Sequence, residues 1–135
     1  MKQISFRLKP GDLLREEIER RASENDIKAG VLLSIVGGLK HAELRMAGSE
    51  PDAQSFMSFE GPFEIVSGTG TISKNGCHLH VSISDREGNV FGGHLRKGCA
   101  VAYTAEIVIG IFDDVVYTRE MDEETGFKEL NITDR

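Results

Sequence analysis

The stretch HLHVSISDREGNVFGGH, His78 to His94, holds three of the chain's four histidines, and imidazole is a common side chain for ligating divalent metals. Along Cys77 to Ser84, Leu79, Val81 and Ile83 alternate with His78, His80, Ser82 and Ser84. Strand periodicity therefore puts the aliphatic trio on one face and both histidines on the other. Arg86-Glu87-Gly88 suits a three-residue hairpin loop, with glycine where a left-handed backbone is needed. If Asp85 then faces Asn89, Ile83 lies opposite Phe91, Leu79 opposite Leu95 and Ser82 opposite Gly92. The same register sets His80 opposite His94, with Cβ atoms ~5 Å apart and His78 diagonal on the same face.

Three neutral imidazoles converging in this way suit a borderline divalent ion, with zinc the default and nickel, cobalt, copper or iron the alternatives. Three protein nitrogens leave a further coordination position for water or a small-molecule ligand, as in catalytic zinc sites, and Gly92 and Gly93 beside His94 leave room for it. The plainer alternative is a set of surface or interface histidines making ordinary hydrogen bonds. Cys77 shares the parity of Leu79 and is expected in the core. Cys99 follows Gly98 at a strand entry and is expected to be packed, and His41 stands apart from the cluster. No catalytic residue is identified. Metal-assisted hydrolysis or lyase chemistry would need a carboxylate base, for which Glu106 and Glu64 are the candidates. Pairing with Arg45 or Arg96 is the structural alternative for either.

The elements that must position this hairpin are mostly strands. Ile4, Phe6 and Leu8 alternate in a half-buried strand that Pro10-Gly11 ends. Asp12 is the expected N-cap of a helix running to about Glu24, with Leu13, Leu14, Ile18, Arg21 and Ala22 along one face. VLLSIVGGL (Val31 to Leu39) reads as a buried strand and His41 to Met46 as a separate short one, before a loop from Ala47 to Phe56. Strands follow at PFEIVSGTGTI, CHLHVSIS, NVFGGHL, AVAYTAEIVIG and DDVVYTREM, then a turn and a short strand around Phe127 to Ile132. The whole chain, residues 1–135, reads as one α+β domain with a mostly antiparallel sheet.

Composition narrows the function classes. Of the 135 residues, 39% are apolar and 28% charged, as in an ordinary globular domain. No apolar run approaches the ~20 residues of a membrane-spanning helix, and no apolar stretch precedes the first charged helix as in a secretory signal. Reduced cysteines and a cytoplasmic setting are expected. The net charge of −6 repels the DNA backbone. The densest basic cluster, Arg15 to Arg21, alternates with Glu16, Glu17 and Glu19 and reads as a solvated helix face.

GPFEIVSGTGTI (Gly61 to Ile72), HLHVSISDREGNVFGGHLRKGC (His78 to Cys99) and AEIVIG (Ala105 to Gly110), together with the early helix and IVGGL (Ile35 to Leu39), resemble the PPC ("plants and prokaryotes conserved") domain. The resemblance implies an α+β fold with a seven-stranded antiparallel sheet flanked by helices, assembled as a homotrimer. It also implies a metal on the histidines matching His78, His80 and His94, as in some prokaryotic members. In plants, AT-hooks ahead of the domain grip DNA while the domain mediates association. No Arg-Gly-Arg core of an AT-hook occurs here, which argues against direct nucleic-acid binding; a DNA-binding or transcription-regulatory protein, as the family label suggests, is the alternative reading. The plant partner-binding motif Gly-Arg-Phe-Glu-Ile-Leu is matched at Gly61, Phe63, Glu64 and Ile65, with Pro62 in place of its Arg and Val66 in place of its Leu. A trimer also accounts for an outer face of histidine, serine and glycine, with Gly37, Gly38, Gly92 and Gly93 permitting close approach at a pocket or subunit seam. The alternative is that these glycines serve only bulges and turns.

Overall fold

The computed structural model describes residues 1–135. Strand β1 (Lys2–Leu8) leads to helix α1 (Leu14–Glu24). Then come β2 (Ala29–Arg45), β3 (Phe56–Ser73), β4 (Gly76–Ser84), β5 (Val90–Leu95), β6 (Ala100–Ile111), β7 (Val115–Met121) and β8 (Lys128–Asp134). The main sheet has six strands in the order β1-β6-β2-β3-β4-β5, and β7 pairs only with β8. Every pairing is antiparallel.

The fold is mainly β, with one helix, which corrects the expectation of a seven-stranded sheet flanked by helices. Only one segment has helical periodicity, and the final two strands form a hairpin of their own. The two strands expected on either side of Lys40 are a single strand. The Gly37-Gly38 and Leu39–His41 irregularities are absorbed as register shifts against β6 and β3 and do not end β2. Opposite Gly37-Gly38, β6 inserts Tyr103 and Thr104 without partners. A Cβ on Gly37 would lie 2.1 Å from the Thr104 carbonyl, so the bulge needs glycine there.

Helix α1 buries Leu14, Ile18 and Ala22, one stripe at i, i+4 and i+8, and Leu13 stays partly exposed. Asp12 is not the N-cap. Its carboxylate accepts from the Lys9 amide at 2.9 Å, while the leading helix amide, Leu14, donates to the Cys99 carbonyl at 2.8 Å. A neighbouring strand thus does what a capping side chain would. The charged residues of the helix are also not simply solvated. Glu19 accepts from the Cys77 amide at 3.1 Å, Glu16 from the Gly98 amide at 3.1 Å, and Arg15 donates to the Leu95 carbonyl at 3.1 Å. These bonds clamp the helix onto the ends of β4 and β5.

The core holds Leu79, Val81, Ile83 and Cys77 from β4 with Leu95, Leu44, Ile107 and Ile109, all buried. Strand β5 leaves β4 after His94 and closes onto β2, with Leu95 opposite Leu44 and Arg45 opposite His94. Leu95 therefore takes Leu44 as its partner where the hairpin register alone would have given it Leu79. A Cβ on Gly92 would sit 2.0 Å from the Val81 carbonyl, and one on Gly93 would sit 2.7 Å from the Arg45 carbonyl. Gly92→Ala is expected to lower stability by about 1–3 kcal/mol by forcing β5 off β4, read as a drop in the urea midpoint; an unchanged midpoint would contradict this packing.

Candidate metal centre

The Asp85–Asn89 turn fixes the hairpin. Asp85 Oδ1 accepts from the amides of Glu87 at 3.0 Å and Asn89 at 2.9 Å, and Gly88 has φ 81°. Its register is the expected one, with Ile83 opposite Phe91, Ser82 opposite Gly92 and His80 opposite His94. His78, His80 and His94 offer ligating nitrogens that all lie within 4.8 Å of one another. His78 Nε2 and His80 Nε2 are 3.2 Å apart. Two nitrogens bound to one tetrahedral zinc at about 2.0–2.1 Å are about 3.3 Å apart, so the donor set fits such an ion.

The rings sit in a cleft of about 560 Å³ whose other walls include Arg15, Arg45, Arg119, Phe127, Lys128 and Glu129. Arg45 Nη2 is 3.3 Å from His94 Nδ1, and Arg119 Nη2 is 3.2 Å from His78 Nδ1. Burial, then the Arg45 charge, pushes the His94 pKa down to about 3. Burial, then Arg119, lowers that of His78. Both rings are therefore neutral at pH 7, as metal ligation requires.

The sequence alone gave no reason to group the cleft's basic residues with the histidines. Arg45 reaches His94 only because β5 closes on β2. Arg119 arrives because the β7–β8 hairpin is tied to the β3–β4 turn: Lys74 N donates to Tyr117 O at 2.8 Å, and Arg119 N to Asn75 Oδ1 at 2.7 Å. Phe127 then stacks 5.1 Å from the Arg45 guanidinium. The alternating pattern of DDVVYTREM signals a strand and says nothing of where it docks.

Of the other residues singled out from the sequence, Gly92 and Gly93 border the histidines in a shallow pocket with Ala47, Gly48 and Phe127. Gly37, Gly38 and Glu64 line a separate cleft of about 430 Å³ with Tyr103 and Thr104. Glu106 is exposed on β6, opposite Arg7 and Val36. Neither Glu64 nor Glu106 lines the histidine cleft; its carboxylate is Glu129. His41 lies elsewhere, between Glu43 and Glu60. Both cysteines are free and buried, and burial pushes Cys77 up to about 12 and Cys99 up to about 11, leaving them as thiols.

A small antiparallel β domain with a three-histidine cluster on its β4–β5 hairpin is the class these features define. The Plants and Prokaryotes Conserved (PCC) domain matches residues 1–113, and the chain belongs to that family. A bifunctional protein GlmU from Synechococcus sp. is 38% identical over 132 residues, 98% of this chain, although the chain spans only 20% of that protein's length. Among solved structures, a "hypothetical protein" from Salmonella enterica superposes with a TM-score of 0.92 at 33% identity, over 99% of this chain and 94% of its own. A metal-containing protein from Archaeoglobus fulgidus superposes with a TM-score of 0.84 at 28% identity, over 97% of this chain and 94% of its own. A Bacteroides thetaiotaomicron protein with a DNA-binding designation superposes with a TM-score of 0.86, over 96% of this chain and 91% of its own, and at 18% identity it speaks only for the fold. No helix is long and apolar enough to cross a membrane.

The depressed His94 value has a consequence for stability. Between pH 6.5 and about 3 the unfolded histidine binds a proton that the native one does not, so stability falls as pH falls through that window. His94→Gln removes this difference, and its curve of urea midpoint against pH is expected to be shallower there than that of the unmodified protein. Parallel curves would refute the assignment.

Proposed function

We propose that this protein binds a divalent metal, zinc in the first instance, on His78, His80 and His94, and that it does so as a homotrimer. The observation that carries the metal reading is the convergence of three imidazole nitrogens within 4.8 Å, two of the rings held neutral by burial and by neighbouring arginines. The name of the Archaeoglobus relative supports it. When bound, the metal supplies a Lewis acid with a position open to water or an exogenous ligand. The chain's own contribution is to hold the rings in one register and to surround them with guanidinium donors. The work is assigned to the cytoplasm, in keeping with two free thiols.

Self-association is supported by the outer face of the sheet. Leu33, Val36, Val66 and Tyr103, on β2, β3 and β6, are 49%, 55%, 54% and 85% exposed. Val36 and Val66 flank the Gly37–Ile65 pair, so they adjoin on neighbouring strands. An exposed apolar pair such as Val36 and Val66 marks an association surface, and the occupant proposed for it is a further copy of the chain.

Protein purified without a histidine tag is expected to carry stoichiometric metal by elemental analysis, and His80→Ala to lose it while staying folded. Metal-free protein that takes up none on reconstitution would overturn the reading. Sedimentation is expected to show a trimer, with Val36→Glu and Val66→Glu shifting it toward monomer; a monomeric unmodified chain would refute the assembly. No salt-dependent binding to duplex DNA is expected from a chain of net charge −6.

A further inference from the structure

The histidine cleft concentrates positive charge that the proposed metal does not need. Arg15, Arg45, Arg119 and Lys128 line it against one lining carboxylate, Glu129, in a chain that is acidic overall. Arg15 is paired with Glu19 at 3.2 Å, and Arg119 lies 3.7 Å from Glu129. Arg45 and Lys128 form no ion pair at all. A cation next to a metal ion weakens metal binding unless an anion sits between them.

The hydrogen-bonding roles of the rings point the same way. A guanidinium can only donate, so where Arg119 contacts His78 the Nδ1 atom accepts and the ring proton lies on Nε2, facing His80 Nε2. Ligation through His78 Nε2 puts that proton on Nδ1, and the ring can then no longer accept from Arg119. Arg119 Nη2 keeps its bond to the Lys128 carbonyl at 2.8 Å, and the N–H that faced His78 is freed toward the cleft. Arg45 and Arg119 approach from different strands, β2 and β7, so each can supply donors to one group lying between them.

We propose that the cleft binds a small oxyanion, a carboxylate or phosphate, held between the histidine-bound metal and the guanidinium groups of Arg45 and Arg119. Lys128 adds charge at the rim, and Phe127 fixes the Arg45 plane. The volume of about 560 Å³ admits a compact organic acid and not only a water molecule. Arg119, Phe127 and Lys128 all come from the terminal hairpin, beyond residue 113 where the family match ends, and Arg45 comes from β2.

This inference rests on the metal reading, and cobalt separates the two. The purified protein is stripped of metal, loaded with Co²⁺ and assayed for metal content, then titrated with malonate or with inorganic phosphate while its visible absorption is followed. A saturable spectral change with either anion is expected, and comparing the two tells carboxylate from phosphate preference. Arg45→Gln and Arg119→Gln are each expected to weaken that response roughly tenfold or more, as for loss of one charge-assisted hydrogen bond, with cobalt content unchanged. The Arg45 side chain makes its hydrogen bond to His94 and stacks on Phe127, with no bond to the terminal hairpin's backbone, so its variant tests the idea even where Arg119→Gln loosens the hairpin. Cobalt bound with no response to either anion, or a response unaltered in Arg45→Gln, overturns the anion site and leaves the metal site standing. No cobalt bound overturns both.

Discussion

The site depends on how closely β5 can be drawn between two other strands. Its middle residues, Gly92 and Gly93, lie where any side chain would meet the carbonyl of Val81 on one side and that of Arg45 on the other. Only because both lack a Cβ does β5 pair with β4 and then swing onto β2, so that β2, β3, β4 and β5 close on themselves. His94 is the residue at the crossing. It faces His80 across one strand pair and Arg45 across the other. The same closure sends Leu95 inward against Leu44, so the packing of the core and the assembly of the site are one event.

Charge around His78 and His94 is arranged to keep them unprotonated. Burial disfavours an imidazolium, and Arg45 and Arg119 add repulsion to it. The cost is a cleft rich in cations, which a metal alone would not relieve. An anion shared between the proposed metal and the guanidinium groups would satisfy both demands, because it would offset the arginines and occupy the metal's remaining coordination position.

The terminal hairpin gives the cleft much of its character. Residues 1–113 carry the family match and all three histidines, while Arg119, Phe127, Lys128 and Glu129 come from the hairpin beyond it. The hairpin is held by Asn75 and Lys74, residues of the turn that begins the histidine strand. A shift of that turn would therefore move His78 and Arg119 together.

Period-two alternation and the Asp85–Asn89 loop were enough to pair His80 with His94, because a hairpin register is set by its own turn and by one buried face. The single helix and the buried cysteines were legible for the same local reasons. Other features depended on contacts distant in sequence. Whether VLLSIVGGL and HAELRM were two strands or one depended on β6 bulging opposite Gly37-Gly38, and the start of the helix depended on the Cys99 carbonyl in place of the Asp12 side chain. The sequence by itself determined which imidazoles meet. Only the tertiary structure decided what surrounds them, since the partners of Arg45 and Arg119 follow from strand closure and hairpin docking, which no local pattern encodes.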